Sequence, residues 1–153
     1  MTVERIYLRA SPGAPTQQRL RVRLVAGKGI EGDRYFGVDE EPSVNVSLIE
    51  AEEIERFQRA CGVPVDLSAS GRNLVTRGVR LNDLVGREFA IDGVRLLGSE
   101  LCEPCLTLGQ ALANPACGPA EAVGRMLHRA GLRARVLSSG EIRVGACVEV
   151  AGR

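Results

Sequence analysis

Two cysteines, Cys102 and Cys105, lie three positions apart in the apolar stretch LCEPCLTL. Thiols at this spacing can form half of a tetrahedral metal site, a redox couple, or one reactive nucleophile beside a second cysteine. Cys61 and Cys147 fall in periodic apolar patterns, as small buried hydrophobes do. Pro104 restricts the backbone beside Cys105, in a loop that follows a predicted strand. Cys105 is therefore the best candidate for a reactive thiol.

Zinc binding is one alternative interpretation of the pair. Cys117 and His128 complete a C-x2-C-x11-C-x10-H pattern, although His128 falls on the polar side of a predicted helix and a second closely spaced ligand pair is missing. A thioredoxin-like couple is another alternative. It requires the pair to open a helix in a parallel βαβ unit. The surroundings are instead predicted hairpins, and residues 106–112 are only weakly helical.

The composition is that of one domain, which we predict to span residues 1–153. A formal net charge of +1 and five aromatic residues argue against nucleic acid or a membrane surface as the partner. No apolar run approaches membrane-spanning length, and Glu4 and Arg5 interrupt the segment that an export signal needs. We therefore expect a cytoplasmic protein whose five cysteines are reduced thiols.

Short alternating segments separated by glycine turns predict a mainly β fold. Many short strands with close turns are typical of a β-barrel or a strongly bent sheet, here with a few helices. The predicted strands are residues 3–8, 20–25, 44–48, 87–91, 94–97, 132–137, 142–144 and 147–150.

Two amphipathic helices interrupt the strands. The first is predicted to follow a capping box at residues 47–50 and to end at Gly62. The second is predicted to run from Pro119 to Gly131. Their apolar faces consist of Ala51, Ile54, Phe57 and Cys61 in the first helix, and Ala122, Val123, Met126, Leu127 and Ala130 in the second.

Two loops combine glycine with arginine. The first, GKGIEGDR, contains Asp33 and Arg34, and the second, GRNLVTRG, contains Arg72, Asn73 and Thr76. Their simplest interpretations are a hairpin loop and a solvated strand edge. Arginine side chains and the backbone N–H groups of glycine loops can also bind an anionic group. Strand alternation places Arg72 and Thr76 on the face opposite Asn73.

Three stretches together resemble the MOSC domain, which is named for the C-terminal domain of molybdenum-cofactor sulfurase. They are GIEGDRYFG, GRNLVTRGVRLNDLVGREFAIDGVRLLG, and LCEPC with RARVLSSGEIRVGACVEV. They follow the family's order, cover most of the chain and are similar to a small standalone member. The resemblance implies a β-barrel of the pyruvate-kinase-barrel kind with helices at its ends.

The resemblance also implies association with the molybdenum cofactor, a pterin with a phosphate and a metal-holding dithiolene. Cys105 matches the family's characteristic thiol, which is a molybdenum ligand in members that reduce N-hydroxylated compounds. The relatives that reduce N-hydroxylated compounds often have Arg-Pro-Asn where this chain has Gly71-Arg72-Asn73. The polar residues implied in cofactor binding are Asp33, Arg34, Arg72, Asn73 and Thr76.

Three hypotheses follow. The first is a molybdenum enzyme that reduces N–O substrates, with an electron-transfer protein as partner. The second is a sulfur or cofactor carrier with a persulfide on Cys105. Because Lys28 is the only lysine and the chain is too short for a desulfurase domain, the sulfur must come from a partner desulfurase. The third is a zinc-stabilised binding module.

Overall fold

Eight of the eleven strands in the described part of the chain form one strongly curled sheet in the order β11-β7-β8-β9-β5-β6-β1-β2. The computed structural model describes residues 1–38 and 45–152. The strands are β1 Thr2–Leu8, β2 Gln17–Arg19, β3 Arg21–Val25, β4 Gly29–Ile30, β5 Val46–Glu50, β6 Leu74–Arg77, β7 Glu88–Ile91, β8 Val94–Leu101, β9 Leu132–Val136, β10 Gly140–Arg143 and β11 Val148–Val150. The helices are α1 Ala51–Cys61, α2 Leu106–Leu112 and α3 Pro119–Arg125, with a 3-10 helix at Leu81–Leu84.

The ends of this sheet approach each other. Val3 N donates to Ala146 O at 2.9 Å, and Gly145 N donates to Val3 O at 2.7 Å, so β1 contacts the turn that precedes β11. The three remaining strands form a second sheet in the order β10-β3-β4. The predicted mainly β, barrel-like architecture with a few helices is thus confirmed.

The curled sheet separates two apolar cores. Along β5, Leu48 belongs to the inner core and Ile49 to the outer core, because successive side chains of a strand point to opposite faces. Leu74 and Val75 divide in the same way along β6. The outer core lies between this face of the sheet and the helices α1, α2 and α3, which contribute residues such as Phe57, Leu108 and Ala122.

The first helix ends as predicted but does not begin as predicted. Gly62 closes α1 with a φ of 68°, a left-handed conformation that glycine adopts without strain. The capping box is wrong because residues 47–50 are strand residues of β5, and Glu50 makes no side-chain cap bond. Ser47 instead donates its hydroxyl to Asn73 Oδ1 at 3.2 Å.

The region after β8 also differs from the prediction. Residues 106–112 form the helix α2, which Leu108 and Leu112 anchor in the outer core. The predicted helix from Pro119 ends at Arg125, and an irregular turn connects it to β9. In that turn His128 has a φ of 61°. Leu127, predicted on the apolar face, is 52% exposed.

The predicted strands are confirmed with shifts of a few residues at their ends. The largest extension is β8, which continues to Leu101. Of the predicted strand at residues 44–48, Val44 lies outside the described residues. Within residues 1–38 and 45–152, no helix has both the length and the apolar character needed to cross a membrane.

Gly131 should tolerate no side chain. Its φ is 106°, and an added Cβ would overlap the carbonyl oxygen of Leu48. We predict that Gly131→Ala lowers the free energy of unfolding by roughly 2–4 kcal/mol, because backbone strain and overlap add. The measurement is urea denaturation.

Gly124→Ala is the matched control, since a Cβ there would meet no atom within 4 Å. It should leave the free energy of unfolding unchanged or raise it by up to about 1 kcal/mol, through the higher helix propensity of alanine. Equal effects of the two substitutions would contradict the packing described for Gly131.

Candidate functional site

Cys105 occupies the N-cap position of α2, and its side chain is exposed. The backbone N–H of Leu108 makes the largest contribution to a lowered pKa of the Cys105 thiol, and the backbone and hydroxyl of Thr107 add to it. Such N–H groups have no partner within the helix and therefore stabilise a thiolate. Cys105 is thus a reachable thiol in an environment that favours its anionic form.

Cys102 lies in the opposite kind of environment. It is 2% exposed, and burial raises the pKa of its thiol, although the nearby guanidinium groups of Arg72 and Arg133 lower it in part. Its backbone N–H donates to Gly131 O at 2.8 Å, which ties the cysteine loop to the start of β9. Cys102 therefore anchors the loop, and Cys105 presents the reactive sulfur.

Arg72 connects this loop to the second glycine loop. Its Nε donates to Ala130 O at 3.0 Å, and its positive charge lowers the pKa of both Cys102 and Cys105. The sequence predicted Arg72 on the face opposite Asn73. On that face, the Arg72 guanidinium group lies near the cysteine pair.

A narrow cleft lies between the two glycine loops. Its walls include Gly71 from the second loop and Arg34 and Tyr35 from the first, and its volume is about 40 Å³. That is room for about three water molecules, or for a small anionic group. Arg34 stacks on the Tyr35 ring at 4.6 Å from the ring centre. Arg9 also lines the cleft, and sequence reasoning missed it because it is one residue past the end of β1.

Asp33 and Asn73 shape the cleft from inside. Asp33 is 8% exposed, and its carboxylate accepts hydrogen bonds from the backbone N–H groups of Arg9 and Tyr35, at 3.1 and 3.3 Å. Asn73 is 7% exposed and donates from Nδ2 to Tyr7 O at 3.2 Å and to Asp33 Oδ1 at 3.4 Å. Both side chains are committed to the protein itself, and their role is to hold the two loops together.

Thr76 lies away from the cleft. Its side chain is fully buried, and its hydroxyl donates to Ile49 O at 3.4 Å. The structure therefore brings Asp33, Arg34 and Asn73 together at the cleft. It places Arg72 beside the cysteine loop instead, and it leaves Thr76 in the interior of the sheet.

The residues of the proposed zinc site are not brought together. Cys117 is buried beside Cys61, and His128 faces Glu103, with Nδ1 and Oε1 3.1 Å apart. Among the residues that the structure describes, no group of three or more His, Cys, Asp or Glu side chains could hold a metal ion.

A second cavity, of about 250 Å³, lies between α1, the 3-10 helix and the turn before β9. Glu50, Arg80 and His128 are among its lining residues. Glu50 accepts a hydrogen bond from Leu81 N at 2.8 Å, and burial raises the pKa of its carboxyl group. Sequence analysis missed this cavity because it placed Glu50 in the capping box.

The profile of the MOSC domain matches residues 33–149. The chain belongs to the MOSC domain family. The matched range includes both cysteines of the loop and the second glycine loop, and begins at Asp33. None of the curated proteins compared with this MOSC chain matches it.

Solved structures share the fold of this MOSC chain. The YUAD protein from Bacillus subtilis has a TM-score of 0.85 at 22% identity, with 97% of this chain and 94% of that chain covered. YiiM from Geobacillus stearothermophilus has a TM-score of 0.72 at 18% identity, covering 99% and 75%. YiiM from Escherichia coli has a TM-score of 0.68 at 18% identity, covering 100% and 71%.

The lowered pKa of Cys105 predicts a characteristic alkylation profile. The thiolate is the reacting form, so the iodoacetamide rate rises with pH through the pKa and levels off above it. We expect the midpoint for Cys105 to lie below about 8.5, the value of a free cysteine. Peptide mass spectrometry after timed alkylation measures the rate at each thiol.

Two variants identify the cause of this shift. Thr107→Val removes the hydroxyl contact and Arg72→Gln removes the nearby charge, so each should move the Cys105 midpoint to higher pH. The buried Cys102 should remain the slower thiol throughout. A midpoint at or above that of free cysteine would contradict the environment described for Cys105.

Proposed function

We propose that this MOSC chain binds the molybdenum cofactor, with Cys105 as a ligand to the metal, and that it reduces N-hydroxylated substrates. One observation carries the proposal. The exposed Cys105 thiol has a lowered pKa and lies near Arg72, whose neighbour Gly71 lines the cleft between the two glycine loops. The family membership supports association with this cofactor.

The residues present fit such a group in part. A thiolate is a soft ligand, suited to a metal that is already held by sulfur. Arg34, in the wall of the cleft, can offer paired N–H donors to a phosphate. The cleft, at about 40 Å³, accommodates an anionic end group and is far smaller than the roughly 300 Å³ or more of a pocket that encloses a whole ligand. A pterin ring would therefore lie outside the cleft.

The resemblance implies Asn73 and Thr76 in cofactor binding, but in this proposal their roles are structural. Asn73 positions the loop that carries Arg72, because both ends of its amide group bind within the protein. Thr76 supports the contact between β6 and β5, because its buried hydroxyl binds Ile49 O. Neither is proposed to contact the cofactor directly.

When bound, the cofactor would supply two-electron redox chemistry at its metal. The chain's own residues would bind the cofactor and hold it in position. Cys105 would ligate the metal as a thiolate, Arg72 would hold positive charge beside it, and Arg34 would bind the anionic end. The electrons would come from a partner redox protein, since the proposed chemistry consumes two electrons for each N–O bond reduced.

Cofactor loading tests the proposal. The chain is purified from a host that makes the cofactor, and molybdenum is measured together with the fluorescence of the oxidised pterin. We expect stoichiometric metal and pterin in the wild type, a lower metal content in Cys105→Ser, and reduced pterin content in Arg34→Gln. Cys147→Ser is the matched control and should load as the wild type does, because it alters another exposed thiol outside the site.

The other hypotheses give different results in the same experiment. A sulfur carrier would be isolated without molybdenum and with labile sulfur on Cys105. A zinc-stabilised module would retain zinc after purification and lose it together with its fold on chelation. Loaded wild-type protein that does not reduce a hydroxylamine-type substrate with a chemical electron donor would contradict the proposed reaction while leaving the cofactor site intact.

A further inference from the structure

Two cysteines outside the candidate site contact each other. Cys61 is the last residue of α1, and Cys117 lies in the connection between α2 and α3. They are 56 positions apart in the chain, yet both side chains pack in the outer core. Burial and the neighbouring Cys61 thiol both raise the pKa of Cys117, whose Sγ donates to Gly118 O at 3.8 Å. Cys117 is 1% exposed, whereas Cys61 is partly exposed.

The backbone around each thiol is well fixed. Cys117 and Asn114 exchange two backbone hydrogen bonds, at 2.9 and 3.0 Å, which close a tight loop. Gly62 N donates to Gln58 O at 2.8 Å and completes the end of α1 after Cys61. Both thiols are therefore carried by backbone that hydrogen bonds hold in place.

A hydrogen bond also ties α1 to α3, the helix that follows Cys117. Arg56 Nη2, on α1, donates to Arg125 O at the end of α3 at 2.6 Å. The Arg125 guanidinium is held by Glu121 at 2.8 Å and lies close enough to both thiols to interact with their charge. Burial raises the pKa of Cys117, and the paired charges beside it act in opposite directions, Glu121 raising that pKa and Arg125 lowering it. The thiolate is the form that reacts with disulfides.

We propose that Cys61 and Cys117 form a reversible disulfide by exchange with a small disulfide of the oxidised-glutathione class. In the first step the Cys61 thiolate attacks the small disulfide, forms a mixed disulfide and releases one small thiolate. In the second step Cys117 loses its proton to solvent, attacks the Cys61 sulfur and releases the second small thiolate. The protein dithiol is oxidised by two electrons, and the small disulfide is reduced to two thiols.

The order of the two steps follows from exposure. Solvent reaches Cys61, so a small disulfide can collide with its sulfur. Cys117 is buried, and burial raises the pKa of its thiol, so it reacts only with a neighbour that it already contacts. The product joins α1 to the α2–α3 connection. It therefore stabilises the position of α2, the helix whose N-cap is Cys105.

The test is to incubate the full chain with oxidised glutathione and map its cysteines by mass spectrometry. Trypsin alone leaves Cys102, Cys105 and Cys117 on one peptide, because no lysine or arginine lies between Arg95 and Arg125. Combined digestion with trypsin and chymotrypsin separates Cys117 from the other two at the intervening leucines, and fragmentation of the shared peptide distinguishes Cys102 from Cys105. We expect a cross-linked pair of peptides that contain Cys61 and Cys117, lighter by two hydrogens and restored by a thiol reductant.

Three variants and a stability measurement make the result decisive. Cys61→Ser and Cys117→Ser should each abolish the cross-link, whereas Cys147→Ser should retain it. Oxidation should raise the Tm of the wild type by about 5 °C or more, through the constraint on the unfolded chain, and should not raise that of Cys61→Ser. A glutathione adduct that persists on Cys61 without closure, or a cross-link that involves Cys105 instead, would overturn the proposal.

Discussion

The buried amide of Asn73 is the interaction on which the candidate site depends. Its Oδ1 accepts from the backbone N–H and hydroxyl of Ser47 on β5, and its Nδ2 donates to Tyr7 O on β1 and to Asp33 in the first glycine loop. One side chain thus joins two strands and a loop. A buried amide with every group paired fixes its surroundings, because any displacement leaves an unpaired polar atom. The residue next to it, Arg72, is held in place for that reason.

Two separate elements meet at Arg72. The second glycine loop delivers its guanidinium, and α2 delivers the Cys105 thiol with the N–H groups that lower its pKa. The cysteine loop is fixed by Cys102, whose N–H binds Gly131 O, and the same turn supplies Ala130 O to Arg72. The reactive sulfur and the cation are therefore positioned by a shared turn rather than by a direct bond between them.

Much of this architecture can be predicted from sequence. Strand alternation identified β3 and β9 to within one residue at each end, because period-two burial on a two-faced sheet leaves a clear pattern. The exposed, reactive character of Cys105 is consistent with Pro104 and with the loop after β8. The family was identified from three short motifs, and its profile covers residues 33–149. In each of these cases the local residue pattern carries the information.

The remaining features depend on contacts between distant parts of the chain. Ser47 and Glu50 match a capping box, but the tertiary pairing of β5 with β6 and β9 overrides that local signal. The helix α2 has weak propensity and depends on Leu108 and Leu112 in the outer core. The burial of Thr76, the position of Arg9 in the cleft and the contact between Cys61 and Cys117 likewise arise only when the sheet curls and the helices pack on it.

The central claim is that the Cys105 sulfur binds the metal of the cofactor. Molybdenum X-ray absorption on cofactor-loaded protein tests this most directly, because it counts the sulfur atoms bound to the metal. The account predicts one protein sulfur in addition to the dithiolene pair, and its replacement by oxygen in Cys105→Ser protein reconstituted with the cofactor. An identical sulfur count in the two proteins would contradict it.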